Sequence, residues 1–131
     1  MGRLHLSYLD GRMYTCKYCY THLALVDDII SKTFHCNNGK AYLFNKAVNV
    51  SLGEKAERMM TTGLHTVADL FCIACGSIVG WKYEVAPDRI QKYKEGKYIL
   101  VMRKVVDFDR TNFGGGNESQ AGASDADDAG Y

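Results

Sequence analysis

The chain has 131 residues, with a 47% apolar fraction and a formal net charge of +1. That is one domain's worth of chain with enough apolar material for a single modest core. No run approaches the roughly 20 apolar residues of a membrane span, and Met1-Gly2-Arg3-Leu4-His5-Leu6 lacks a signal-peptide apolar region. Ser7 also falls one place too late for the usual myristoylation pattern after Gly2. The near-neutral charge hides an asymmetry. Residues 1–106 hold 15 Lys and Arg against nine Asp and Glu, a net of +6, whereas residues 107–131 hold one Arg against six acids, a net of −5. The body's basic bias is mild, too weak for an evident nucleic-acid footprint.

In chain order, residues 1–10 read as an N-terminal extension ending near the Asp10-Gly11 turn signal. Arg12 to Cys16 reads as a strand entering Cys16-Lys17-Tyr18-Cys19, and Thr21 to Val26 as the strand leaving it. Asp27-Asp28 marks a turn. Thr33 to Cys36 is a short extended piece, Asn37-Asn38-Gly39 a hairpin turn that tolerates positive φ, and Ala41 to Phe44 the returning strand. Glu54 to Thr62 contains helix formers but is read as a strand. Thr66 to Cys72 runs into Cys72-Ile73-Ala74-Cys75, and Ser77 to Val85 leaves it. Pro87 opens a short helix to Lys94, with Gly96 as its stop and Ile90 and Tyr93 as its inner face. Tyr98 to Val106 is the final strand. From Asp107 the Gly-, Ser- and Asp-rich composition predicts a disordered acidic tail, 107–131. The body, 11–106, is therefore mainly β.

Two C-x2-C knuckles, Cys16/Cys19 and Cys72/Cys75, carry the chemistry. Two residues between cysteines let both sulfurs turn toward one point, and four such sulfurs complete a tetrahedral structural zinc site. A reducing cytosolic or nuclear compartment favours metal ligation over disulfides. Iron in a rubredoxin-like site uses the same tetrahedron and is the competing metal. His22, three residues after Cys19, is read as a hydrogen-bond partner for a sulfur rather than a ligand replacing one of the thiolates.

Other chemistry-bearing residues have plainer readings. Cys36 is the sole cysteine outside the knuckles; its neighbour His35 points to the opposite strand face, so Cys36 reads as a buried core thiol. His65 and Asp69 share a face and suit core hydrogen bonding. Trp81 and Tyr83 also share a face and could wall an aromatic ligand pocket, with core packing the competing assignment. The run Lys92 to Lys97 reads as a solvated basic face.

With both knuckles, Gly39, Leu43, Asn49, Gly63 and Gly80-Trp81-Lys82-Tyr83 in place, residues 11–100 resemble the Yippee family. His35-Cys36, Gly39 to Asn45 and Thr62 to Asp69 extend the likeness. Two departures stand out: Val101 replaces an expected glutamate, and Asn37-Asn38 replaces a basic pair. The resemblance implies a β-tent, two antiparallel sheets pinned by one zinc ion on Cys16, Cys19, Cys72 and Cys75. By likeness to the cereblon ligand-binding domain it implies Trp81 as one wall of a small-molecule cage, with the other tryptophans lacking. It further implies a non-enzymatic protein-interaction module of the nucleus or cytoplasm, acting in growth, division or ubiquitin-ligase assemblies through a protein partner that the sequence does not identify. Two alternatives have distinct signatures. A methionine-sulfoxide-reductase-like enzyme on a similar tent needs a reactive cysteine after the second knuckle, and no cysteine follows Cys75. A nucleic-acid-binding zinc ribbon needs an arginine cluster that the chain lacks.

Overall fold

The computed structural model describes residues 5–37 and 39–110. Among the described residues, nine strands form two antiparallel sheets. The smaller sheet has the order β2-β1-β9, from β1 (Arg12–Cys16), β2 (His22–Leu25) and β9 (Val105–Asp109). The larger has the order β3-β4-β8-β7-β6-β5. Its strands are β3 (Ile29–Cys36), β4 (Gly39–Phe44), β5 (Val50–Met60), β6 (Gly63–Cys72), β7 (Ile78–Val85) and β8 (Tyr98–Val101). This is the mainly β, two-sheet architecture that the alternating patterns and the family resemblance imply. Among the described residues, no helix is long and apolar enough to cross a membrane.

Hairpins dominate because turn chemistry and strand patterns agree. Glu54 to Met60 does extend as strand, while Thr61 and Thr62 form the turn: β5 pairs with β6 from Val50↔Cys72 to Met60↔Gly63, and Gly63 turns the corner at φ 116°. Tertiary pairing overrides the helix formers there. The final strand differs from expectation. A single 3-10 turn, Met102–Lys104, cuts it in two. β8 stays in the large sheet beside β4 and β7, and β9 crosses to pair with β1, Arg12↔Asp109 through Cys16↔Val105. One apolar run thus feeds both sheets. β9 also carries order to Asp109, past the composition change at Asp107; the predicted disordered tail from residue 111 onward lies outside the described residues.

The short helix expected at Pro87–Lys94 is a 3-10 helix, Arg89–Lys94, capped by the Asp88 carboxylate accepting from Ile90 N–H at 3.1 Å. Its inner face is not the expected one. Ile90 is 75% exposed and Tyr93 54%, whereas Lys94 is 1% exposed. With three residues per turn, positions 90 and 93 eclipse on one side and 91 and 94 on another. The Lys94 ammonium donates to Thr62 Oγ1 at 3.0 Å and lies 5.3 and 5.2 Å from the ring centres of Phe34 and Tyr83.

The large sheet buries both faces. One face meets the small sheet over Cys16, Leu23, Ala24, Phe44, Leu70, Cys72, Val79, Leu100 and Val105. The other gathers Phe34, Ala41, Leu43, Met60, Val67, Trp81, Tyr83, Ile99 and Val101. Phe34 comes from one edge strand and Met60 from the other, so the twisted sheet rolls over this second cluster. Register shifts in the pairings of β3, β5, β6 and β7 give it the bends it needs. Gly80 faces β8 at close quarters: a Cβ there would collide with the Ile99 carbonyl.

Candidate metal centre

The first knuckle joins β1 to β2 in the small sheet; the second joins β6 to β7 in the large one. Their turns are built alike. Tyr20 N–H donates to Cys16 O at 2.8 Å, and Gly76 N–H to Cys72 O at 2.8 Å. Cys16 N–H donates to Thr21 O at 2.9 Å, and Cys72 N–H to Ser77 O at 2.8 Å. The residue four places after the first cysteine of each knuckle is left-handed, Tyr20 at φ 62° and Gly76 at φ 81°. Glycine takes that conformation freely, while Tyr20 is held in it by the turn.

The four sulfurs of Cys16, Cys19, Cys72 and Cys75 lie within 4.8 Å of one another. The close pairs cross from sheet to sheet: Cys16 to Cys75 at 3.7 Å and Cys19 to Cys72 at 3.5 Å. Four sulfurs about 2.3 Å from a tetrahedral zinc sit about 3.8 Å apart. The donor set therefore fits a divalent ion that prefers four thiolates. Cys16 and Cys72 are buried, Cys19 is half-buried and Cys75 exposed, so the cluster sits at one margin of the core.

Electrostatics point the same way. Burial pushes the Cys16 thiol up to about 12 and raises that of Cys72. Cys75, in contact with Ser77, is lowered to about 6. Packing four thiolates with no cation among them would be strongly unfavourable, and a bound dication removes that penalty. Hydroxyls complete the symmetry: Thr21 Oγ1 lies 3.1 Å from Cys19 Sγ, and Ser77 Oγ 3.3 Å from Cys75 Sγ. Both stand two residues after the second cysteine of their knuckle. Sequence reasoning missed them, although that shared offset was visible.

His22 does not play the role expected of it. Its Nδ1 accepts from Leu9 N–H at 2.8 Å and its ring packs edge-on to Tyr8, so it tethers the N-terminal segment rather than a sulfur. Burial, then the nearby Arg110 charge, lowers its pKa. Cys36 is half-buried rather than enclosed, its Sγ 3.4 Å from the Gly39 carbonyl oxygen at the mouth of the β3–β4 hairpin. His65 is buried with Nδ1 2.9 Å from Gly63 O, while Asp69 pairs with Arg58 at 3.1 Å, so the two do not act together. Trp81 and Tyr83 are both buried in the second apolar cluster with rings in an edge-to-face contact, centres 6.2 Å apart. They are packed as core on the second face of the large sheet.

The fold and the cysteine cluster define a class: a two-sheet β protein whose sheets each contribute one C-x2-C knuckle to a single four-sulfur centre. Comparisons with known proteins make the class specific. The family model described as Yippee zinc-binding/DNA-binding/Mis18, centromere assembly, matches residues 12–119. The protein yippee-like of Solanum tuberosum is 56% identical over 128 residues, covering 98% of this chain and 99% of that one. Protein yippee-like 4 of Homo sapiens is 53% identical over 102 residues, covering 76% and 80%. The crystal structure of the Mis18 "Yippee-like" domain superposes with a TM-score of 0.61 over 79% of this chain and all of that one, at 19% identity, a likeness of fold. The chain belongs to the Yippee family.

Proposed function

We propose that the protein is a zinc-pinned, non-enzymatic interaction module, with one structural zinc ion bound by Cys16, Cys19, Cys72 and Cys75. The observation that carries this reading is the origin of the sulfurs: each sheet supplies two, so one ion ties together two sheets that also meet through side-chain packing, short connections and a few hydrogen bonds. The family description as zinc-binding supports zinc over iron. When bound, the ion supplies charge and a tetrahedral anchor; the chain supplies a closed donor set with no position left for substrate.

A reductase reading has no support in the arrangement of Cys36. Its sulfur is far in sequence from the second knuckle, half-buried against its own hairpin, and no second cysteine stands outside the metal set. The body's basic bias is mild, and a dedicated nucleic-acid surface is not favoured, although the family description includes DNA binding. We place the protein in the nucleus or cytoplasm, within assemblies governing growth, division or ubiquitin transfer. The family description includes centromere assembly.

Affinity capture tests this reading. Wild type should retain specific proteins reproducibly. A chain ending at Arg110 reports on the tail while keeping β9 and the Arg110 N–H to Gly11 O contact at 3.0 Å intact. A Cys72→Ser/Cys75→Ser variant should lose both zinc and captured proteins. Wild type that purifies without stoichiometric zinc, or captures nothing reproducible, overturns the proposal.

A further inference from the structure

The two sheets have four edge strands: β2, β9, β3 and β5. An edge strand offers a row of backbone donors and acceptors to any strand laid beside it, and proteins usually protect such rows with short length, charge or a bulge. β2 is four residues long and β9 five. β3 carries Lys32 and His35 but no acid. β5 runs for 11 residues, and among the described residues it pairs only with β6.

β5 has a charge order that the other edges lack. Glu54-Lys55-Ala56-Glu57-Arg58 is self-complementary when read against itself in the opposite direction. An antiparallel copy centred on Ala56 places Lys55 opposite Glu57 and Glu54 opposite Arg58, twice each by symmetry. Neighbouring registers fail. Centring on Lys55 or Glu57 puts that charge against its own copy. Shifting the sum of paired positions by one sets Glu54 against Glu57, or Lys55 against Arg58. Like charges directly opposite destabilise a strand pair and opposite charges support it. Centring β9 on Asp107 would oppose two aspartates, and β3 has no acid to oppose Lys32. Met59 adds apolar surface at the same edge, 74% exposed beside Leu64 at 42%. The Arg58 head is paired inward with Asp69 of β6 at 3.1 Å, with 30% of its side chain still accessible, so the exposed Lys55 and Glu57 carry the edge complementarity. The irregularity between Leu52 and Lys55 takes in Glu54 and leaves Lys55 to Met60 in continuous register with β6, so the Lys55–Glu57 pairs set the register.

We propose that β5 is a self-association edge, and that its partner is the β5 strand of a second copy of this chain, antiparallel and centred on Ala56, joining two six-stranded sheets into one. The surface is on the opposite margin of β6 from β7 and does not use the cysteine cluster as a contact.

The test is charge exchange in the full-length, zinc-loaded protein, followed by sedimentation across a concentration series. Lys55 and Glu57 are both exposed, so single substitutions there leave the core untouched. Lys55→Glu sets glutamate against Glu57 at two places, and Glu57→Lys sets lysine against Lys55 at two places. Each variant alone should weaken dimerisation by about ten-fold or more. An equimolar mixture of the two restores opposite charges at both places and should recover the dimer. A wild type that stays monomeric at hundreds of micromolar overturns the proposal. So does a dimer indifferent to both substitutions, which places the interface elsewhere. A dimer weakened by each variant but not restored by mixing overturns the antiparallel register.

Discussion

Asn49 shows how much one residue can hold. Its Nδ2 donates to Ser7 O at 2.9 Å and His22 O at 2.7 Å, its Oδ1 accepts from Ser7 N–H at 2.7 Å, and its own carbonyl accepts from Ile73 N–H at 2.9 Å. It also stands at φ 59°, a conformation asparagine tolerates better than most residues. The N-terminal segment, the first hairpin and the second knuckle all meet at this one side chain and backbone. Asn49→Gly keeps the conformation and loses the side-chain bonds, a cost of about 1–3 kcal/mol. Asn49→Ala loses the bonds and adds left-handed strain, and should cost about 1 kcal/mol more. Chemical denaturation of the two variants checks the order; equal stabilities would show that the backbone conformation contributes nothing. Asn49 was noticed in the sequence only as part of a family pattern. Nothing local reveals its role, because its partners lie 42 and 27 residues away.

At the scale of elements, the two knuckles are the same hairpin used twice, down to the hydroxyls at Thr21 and Ser77. A hydroxyl donating to a thiolate disperses its charge and fixes its direction. Thr21→Ala and Ser77→Ala should each loosen zinc by on the order of ten-fold. Competition with a chromophoric chelator measures this. Because the contacts are equivalent, the two losses should match within a few-fold; a large loss at one position with none at the other would break the equivalence. The knuckles and hairpins were legible because C-x2-C spacing, Asn-Gly turns and alternating strands are local signals. The split of Tyr98–Val106 was not. Its residues read as one continuous strand, and only the need to give β1 a second neighbour in the small sheet divides the run at Met102–Lys104. The 3-10 helix misled for a related reason. Ile90 and Tyr93 looked internal because they are apolar and share a face, but that face is exposed and Lys94 turns inside, where two aromatic rings and Thr62 receive its ammonium.

For the whole molecule, the decisive feature is that the four-cysteine cluster bridges the two sheets rather than decorating one. Structural zinc contributes on the order of 10–16 kcal/mol in small domains, against roughly 5–15 kcal/mol of total domain stability. Removing the ion also leaves the sulfurs of Cys16 and Cys72 buried beside each other's sheet with no cation between them. Chelation should therefore unfold both sheets in one transition. Far-ultraviolet circular dichroism and Trp81 fluorescence, which reports the large sheet's second core, should change together. A Trp81 signal that persists after the metal leaves would mean that the large sheet stands alone.

The sequence by itself determined the donor set, the mainly β class and most hairpins, since each depends on residues close together in the chain. Tertiary structure decided which sheet each strand joins, which face of the 89–94 helix turns inward, and that Trp81 and Tyr83 are core. Those outcomes depend on what packs opposite. Long-range pairing and burial choose among local conformations of similar energy, and no short window of sequence contains the partner that makes the choice.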